Sequence, residues 1–210
     1  MRFHKFLLLF LPFSLLFSCS TDSKKVETVK IDHSKTQPVP VPETPAIDPK
    51  VIEAEQYSLA PGRAGKIKVN MSSDSLKKMI SAENLKAVQR ELEGVPYTAF
   101  ELRNPKTGDN LLLLAEESCA NDKCTIFRIR VLSPKFKTEK GIRVGSTFAE
   151  VKNAYALSFV GLGETDFVAV SDANKMTFTL DITNFPPKHL DRISQDEIPD
   201  STKVTSIMLF

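Results

Sequence analysis

Apolar residues recur along this chain at two periods, and the points where the period changes divide it into elements. From Lys140 to Tyr155 an extended lead-in, Ile142-Arg143-Val144, meets a turn at Gly145 and then a helical stripe in which Phe148, Val151, Ala154 and Tyr155 share one face. Thr147 stands where a helix needs its N-cap, and Glu150 follows three residues later, the spacing of a capping box. Seventy-five residues upstream, from Ile142 back to Ile67, the pattern recurs: Ile67 and Val69 match Ile142 and Val144, Ser72 matches Thr147, and Met79-Ile80 match Ala154-Tyr155. Two copies of one unit are predicted.

In the first copy a second helical pattern follows at Leu85, Val88 and Leu92, stopped by Gly94 and Pro96. The period then falls to two. Thr98, Phe100 and Leu102 alternate with Tyr97, Ala99, Glu101 and Arg103; Asn104 to Asp109 is a turn; Leu111 to Leu114 and Phe127 to Val131 are strands flanking a turn at Glu116 to Lys123. In the second copy Leu157 to Val160 and Phe167 to Val170 are strands around a turn at Gly161-Leu-Gly163-Glu-Thr165. Met176, Phe178, Leu180 and Ile182 then point one way while Thr177, Thr179 and Asp181 point the other, and Val204 to Phe210 closes the chain as a strand. The expectation is an α+β fold: two tandem helix-then-antiparallel-strand repeats, residues 58–139 and 140–210, forming a sheet with helices packed on one face. Thr183 to Thr202, holding Pro186, Pro187, His189, Asp196 and Glu197, is a long connection of the kind that is often functional.

The amino terminus follows other rules. Arg2 and Lys5 precede an apolar run, Phe6 to Phe17, broken only by Pro12 and Ser14. A helix needs roughly 20 apolar residues to span a bilayer, so this run has the length of a secretory signal core, residues 1–18. The run ends in Leu16-Phe17-Ser18-Cys19, which resembles the lipobox of bacterial lipoproteins, although Phe17 departs from the usual small residue. The resemblance implies that Cys19 is acylated, that cleavage falls before it, and that the chain is held to the membrane by lipid. Several acyl chains anchor far more firmly than one. Serine at position 20, not aspartate, favours the outer membrane by the same resemblance, leaving the folded part facing the periplasm or the cell surface. Residues 19–57, with prolines at 38, 40, 42, 45 and 49, read as a disordered tether with a reach on the order of 35 Å.

Composition changes little except by exclusion. With 41% hydrophobic and 26% charged residues the chain has a globular composition, and removal of Arg2 and Lys5 with the signal takes the formal charge from +2 to zero. No basic field remains to draw in nucleic acid.

Cys119 and Cys124 flank Ala-Asn-Asp-Lys and are the remaining thiols once Cys19 carries lipid. A disulfide across the turn is the natural reading, and closing so short a loop contributes about 2 kcal/mol in the chain-entropy estimate. A metal would want two further ligands close by, and a redox pair the shorter C-x-x-C spacing. Neither a metal nor a cofactor is expected. His189 is the one histidine of the predicted folded part, and no G-x-S-x-G or H-E-x-x-H is present.

Three functional classes compete. A hydrolase would have to rest on carboxylates such as Asp196 and Glu197. A passive structural tether would need neither the second repeat nor the long loop. A non-enzymatic module that binds another envelope protein uses both, through a strand face carrying Tyr97, Arg103, Arg128, Arg130, Thr177 and Thr179 and a loop carrying His189. The layout over residues 65–210 is similar to that of the β-lactamase inhibitor protein and of small outer-membrane assembly lipoproteins. Only the I-x-V, cap and helix-stripe positions carry that similarity in sequence. It implies that a sheet face or its loops meet a partner protein. The second copy lacks a second helix and inserts the long loop, so no contact residue is transferred from those proteins.

Overall fold

The computed structural model describes residues 54–104, 111–183 and 193–210. Cys19, His189, the signal segment and nearly all of the tether lie outside these residues. In chain order come three short strands, β1 (Ser58–Ala60), β2 (Arg63–Ala64) and β3 (Ile67–Lys68); helix α1 (Ser73–Met79); strands β4 (Leu85–Leu92), β5 (Val95–Arg103), β6 (Leu111–Ala120), β7 (Lys123–Val131) and β8 (Lys137–Thr138); and helix α2 (Phe148–Ala154). Strands β9 (Phe159–Leu162), β10 (Phe167–Ser171), β11 (Met176–Leu180) and β12 (Val204–Leu209) complete the order. Among the described residues no helix is long and apolar enough to cross a membrane.

Eight of these strands form one antiparallel sheet in the order β4-β5-β6-β7-β12-β11-β10-β9. It consists of two four-strand meanders, β4 to β7 and β9 to β12, joined through β7 and β12. A second, mixed sheet has the order β3-β2-β1-β8, with β8 parallel to β1. Alternation decides which side faces the core. Phe100, Ala115, Ile129, Ile207, Phe178 and Ala169 all project to one side and are buried with Leu76 of α1, Phe148 and Val151 of α2, and Leu59, Ala64, Ile67 and Phe136 around the small sheet. Truncating a fully buried phenylalanine such as Phe148 or Phe178 to alanine costs on the order of 3–5 kcal/mol, so this layer holds the two sheets and both helices together.

The fold is therefore mostly β, and the expected α+β arrangement of helix-then-strand repeats with helices covering one sheet face is corrected. Each helix has only seven residues, too short to cover eight strands, and the small sheet shares the covering. The predicted second helix, Leu85 to Leu92, is strand β4. Its Glu93-Gly94 pair, with φ of 50° and 79°, makes a two-residue turn of the left-handed type that favours hairpins, and Leu92 faces Val95 across it. Every residue of β4 finds a partner on β5. That ladder of main-chain bonds outweighs the helical spacing of Leu85, Val88 and Leu92. Ile142 to Val144 is not a strand; the Ile142 amide donates to the Thr138 hydroxyl and its carbonyl accepts from the Thr138 amide. The predicted turn at Glu116 to Lys123 shrinks to Asn121-Asp122, both left-handed, because β6 runs on to Ala120.

Both helix starts are capped. The Ser72 side chain accepts from the Ser75 amide. The Thr147 hydroxyl accepts from the Glu150 amide at 3.2 Å while the Glu150 carboxylate accepts from the Thr147 amide at 2.6 Å, a complete capping box.

Candidate functional site

A break in the ladder aims the side chains of β7. One step along β6, from Glu116 to Glu117, corresponds to two along β7, from Arg128 to Ile126, so Phe127 is an extra residue, a β-bulge. Ile126 stays in the core. Phe127 and Arg128 both border the sheet's other face, with the guanidinium carbon 4.9 Å from the Phe127 ring centre.

Residues directly opposite in an antiparallel sheet share a face, and the register places Glu101, Leu114, Arg130, Met208, Thr177, Val170 and Phe159 in one row across it. Beside that row, Glu116 faces Arg128 and Ser206 faces Thr179. The Thr179 hydroxyl accepts from Ser206 at 2.8 Å. The turn between β9 and β10 falls at Gly163 to Asp166, overlapping the predicted Gly161 to Thr165, and leans over β7 although β10 stands three strands away in the sheet. Arg128 Nη1 donates to Glu164 Oε2 at 2.7 Å, Arg130 Nη1 to Asp166 Oδ2 at 3.1 Å, and Arg128 Nε to the Glu116 carboxylate. Arg130 Nε lies 3.8 Å from the other Glu116 oxygen.

Burial by itself opposes the charge on Arg128. The hydrogen bonds to Glu116 and Glu164 and their negative charges outweigh that cost, so its pKa stands above its already high ordinary value. Two guanidiniums thus meet three carboxylates in a closed cluster. Both arginines are spent on the fold, and neither reaches out as a free anchor for a partner. What the site offers instead is a depression of about 390 Å³ whose rim carries Phe159 and Phe210, 48% and 40% exposed, with Met208, Thr177 and Thr179 on its floor.

Of the residues singled out in the sequence, Arg128, Arg130, Thr177 and Thr179 come together here. Arg103 does not. It lies past a second bulge at Leu112, pairs with Glu101 at 2.7 Å and borders a different groove.

Tyr97 lies on the same sheet face but beyond the body of the sheet. β5 pairs with β6 only from Ala99 onward, whereas β4 pairs with β5 along its whole length. Gln89 to Leu92 and Val95 to Thr98 therefore form a two-stranded ribbon. One side of the ribbon carries Val88, Arg90, Leu92, Val95 and Tyr97; the other carries Gln89, Glu91, Pro96 and Thr98. The apolar side is not part of the core, and Val95 is 65% exposed, the most exposed large apolar residue described.

Cys119 and Cys124 face each other at the end of the β6–β7 hairpin and are joined in a disulfide, with Cα atoms 4.0 Å apart. Ligand atoms of Glu117 and these cysteines lie within 4.8 Å of one another. The sulfurs are bonded to each other, so no thiolate is available there for a metal. Glu197 accepts from the Ser194 amide at 2.7 Å as the cap of a short turn, Gln195–Glu197, that also holds Asp196. That hydrogen bond, with the Ser194 hydroxyl, holds the Glu197 carboxyl below its ordinary range.

Sequence reasoning missed Glu116, Glu164 and Asp166, the acids that engage the arginines, and Phe127, whose bulge breaks the alternation. Leu92 was read as part of a helical stripe, and Val95 lies between Gly94 and Pro96, the residues of its stop, so neither was singled out as exposed apolar surface.

No family model and no curated protein matches the chain. Among solved structures it is similar to the uncharacterized protein yfeY from Escherichia coli, with a TM-score of 0.49 and 14% identity, over 73% of this chain and 96% of that one.

Proposed function

We propose that this chain is an envelope lipoprotein, held to the outer membrane by lipid on Cys19, whose folded part is a non-enzymatic module that binds another envelope protein. The observation that carries the reading is the ribbon. A two-stranded hairpin is at best marginally stable in water on its own, and this one keeps an apolar side of Val88, Leu92, Val95 and Tyr97 outside the core. A strand side of that composition, with Arg90 beside the tyrosine, matches the aromatic and arginine enrichment of protein interfaces. The rim of Phe159 and Phe210 adds exposed apolar surface to the same sheet face. The lipobox motif and Ser20 support the anchoring.

The test is site-specific photocrosslinking in the native envelope, with the crosslinker at Val95 or Tyr97 of the full-length chain. A defined protein adduct from both positions, lost in Val95→Asp with thermal stability unchanged, is expected. If neither position yields an adduct while the protein is folded and present at normal level, binding through the ribbon is overturned and a structural tether becomes the better reading. Mass spectrometry of the mature amino terminus tests the anchor: an unacylated end, or one anywhere but Cys19, overturns it.

A further inference from the structure

At one end of the core a groove of about 1250 Å³ opens between the small sheet, the end of α1 and the start of β6. Its apolar lining comprises Ile67, Met79, Ile80, Leu102, Leu112 and Phe136. Met79 is 37% exposed, a large apolar side chain turned toward this space where the rest of α1 turns either inward or to water. Ile67, Leu112 and Phe136 are buried at the base of the groove, and Met79, Ile80 and Leu102 keep apolar surface open along it.

The charges at its edge are unbalanced. Arg63 is half-buried, and Nη1 donates to the Ser58 hydroxyl at 3.2 Å and the Gly65 carbonyl at 2.9 Å, both neutral acceptors. Lys66, exposed on the turn between β2 and β3, belongs to no ion pair among the described residues, and neither does Arg63. The groove's third cation, Arg103, is already matched by Glu101. Glu55 is the carboxylate on the lining. A guanidinium carries five N–H donors, so these two bonds leave Arg63 able to take an anion as well. Here the acid cluster that would supply one is on the opposite face of the large sheet, around Arg128.

We infer that this groove binds a long-chain fatty acid, its acyl chain against Met79, Ile80 and Leu102 and its carboxylate at Arg63 and Lys66. An apolar stretch with two cations in no ion pair, against the single acid Glu55, is complementary to a molecule that is apolar over most of its length and anionic at one end. A neutral amphiphile would leave the cations unmatched, and a small anion would leave the floor wet. This site is separate from the ribbon, so the binding of a protein partner and the binding of a fatty acid stand or fall independently.

The experiment uses a photoactivatable palmitate analogue applied to membranes containing the full-length protein, with adducts mapped by mass spectrometry. Adducts are expected on the segments around Met79 to Ile80 and Leu102, competed by oleate and not by methyl oleate, which has the same chain without the charge. Lys66→Glu, at an exposed position without a bonded partner, is expected to lower labelling about tenfold with unfolding temperature unchanged. Adducts elsewhere on the protein overturn the groove. Equal competition by methyl oleate overturns the role of the cations. Stronger competition by lysophosphatidylglycerol than by oleate overturns the carboxylate in favour of a phosphate headgroup. A double variant, Met79→Asp with Lys66→Glu, that still labels fully overturns the inference outright.

Discussion

The Arg128 guanidinium donates to the Glu116 carboxylate across neighbouring strands, with the acid's side chain 1% exposed and the arginine's 8%. Charges so removed from water lose most of their hydration, and the loss is repaid only when each is matched. Glu116 is shared between Arg128 and Arg130, while Glu164 and Asp166, at 54% and 41% exposure, close the cluster from the solvent side. The two kinds of acid should therefore differ in weight. Glu116→Ala leaves two guanidiniums without their buried partner and is expected to destabilise by about 3–5 kcal/mol. Glu164→Gln removes an exposed partner and should cost no more than about 1 kcal/mol. The double variant Glu116→Leu with Arg128→Met should recover much of the single loss, since it leaves fewer charges stranded. Urea unfolding of the four proteins decides it; equal losses at Glu116 and Glu164 would contradict the ranking.

Gly65 and Gly94 share a left-handed backbone, with φ of 56° and 79°, but not surroundings. A methyl group at Gly94 would meet nothing within 4 Å, whereas at Gly65 it would overlap the carbonyl oxygen of Gln56. Left-handed backbone alone costs a residue with a side chain roughly 1–2 kcal/mol. Gly94→Ala should show about that loss in thermal unfolding. Gly65→Ala should lose at least about 2 kcal/mol, because the turn between β2 and β3 must also move. Comparable losses in the two variants would show that the contact with Gln56 does not matter.

Local chemistry was legible in the sequence where the cause is local. Thr147 with Glu150, and Ser72 before α1, are caps because a helix start needs acceptors for its free amides, and the spacing alone reveals them. The alternation at Met176 to Leu180 marks its strand, since Phe178 must enter the core and Thr177 must leave it. What depends on pairing at a distance was not legible. Leu85 to Leu92 has helical spacing and good helix formers, and only the full ladder with β5 makes it a strand. Arg128 and Arg130 read as exposed anchors because nothing in one strand's pattern shows that Glu116, Glu164 and Asp166, brought by another strand and a distant turn, will meet them. The four-stranded sheet was invisible for a similar reason: three of its strands have two residues each, too few to show a period.

The capping box of α2 makes the protein's stability sensitive to acid in a way two substitutions can separate. The Glu150 carboxyl is held below its ordinary 4.5 first by the Thr147 amide and then by the Thr147 hydroxyl. A depressed folded-state pKa contributes stability that is present above the unfolded value and lost as the pH falls through the folded one. The window thus opens below pH 4.5 and extends down to the lowered value. Glu150→Gln removes the titrating group, so its deficit against the parent protein should be full at pH 7, narrow below pH 4.5 and close at lower pH. Thr147→Ala keeps the backbone amide that is the larger cause of the shift and loses the hydroxyl, which accepts from the Glu150 amide and donates to its carboxylate. It should cost about 1 kcal/mol at pH 7 while preserving most of the acid sensitivity. Thermal unfolding of the three proteins between pH 7 and pH 3 gives the comparison; a Glu150→Gln deficit that stays constant across the range would mean that the carboxylate's charge plays no part in holding the helix start.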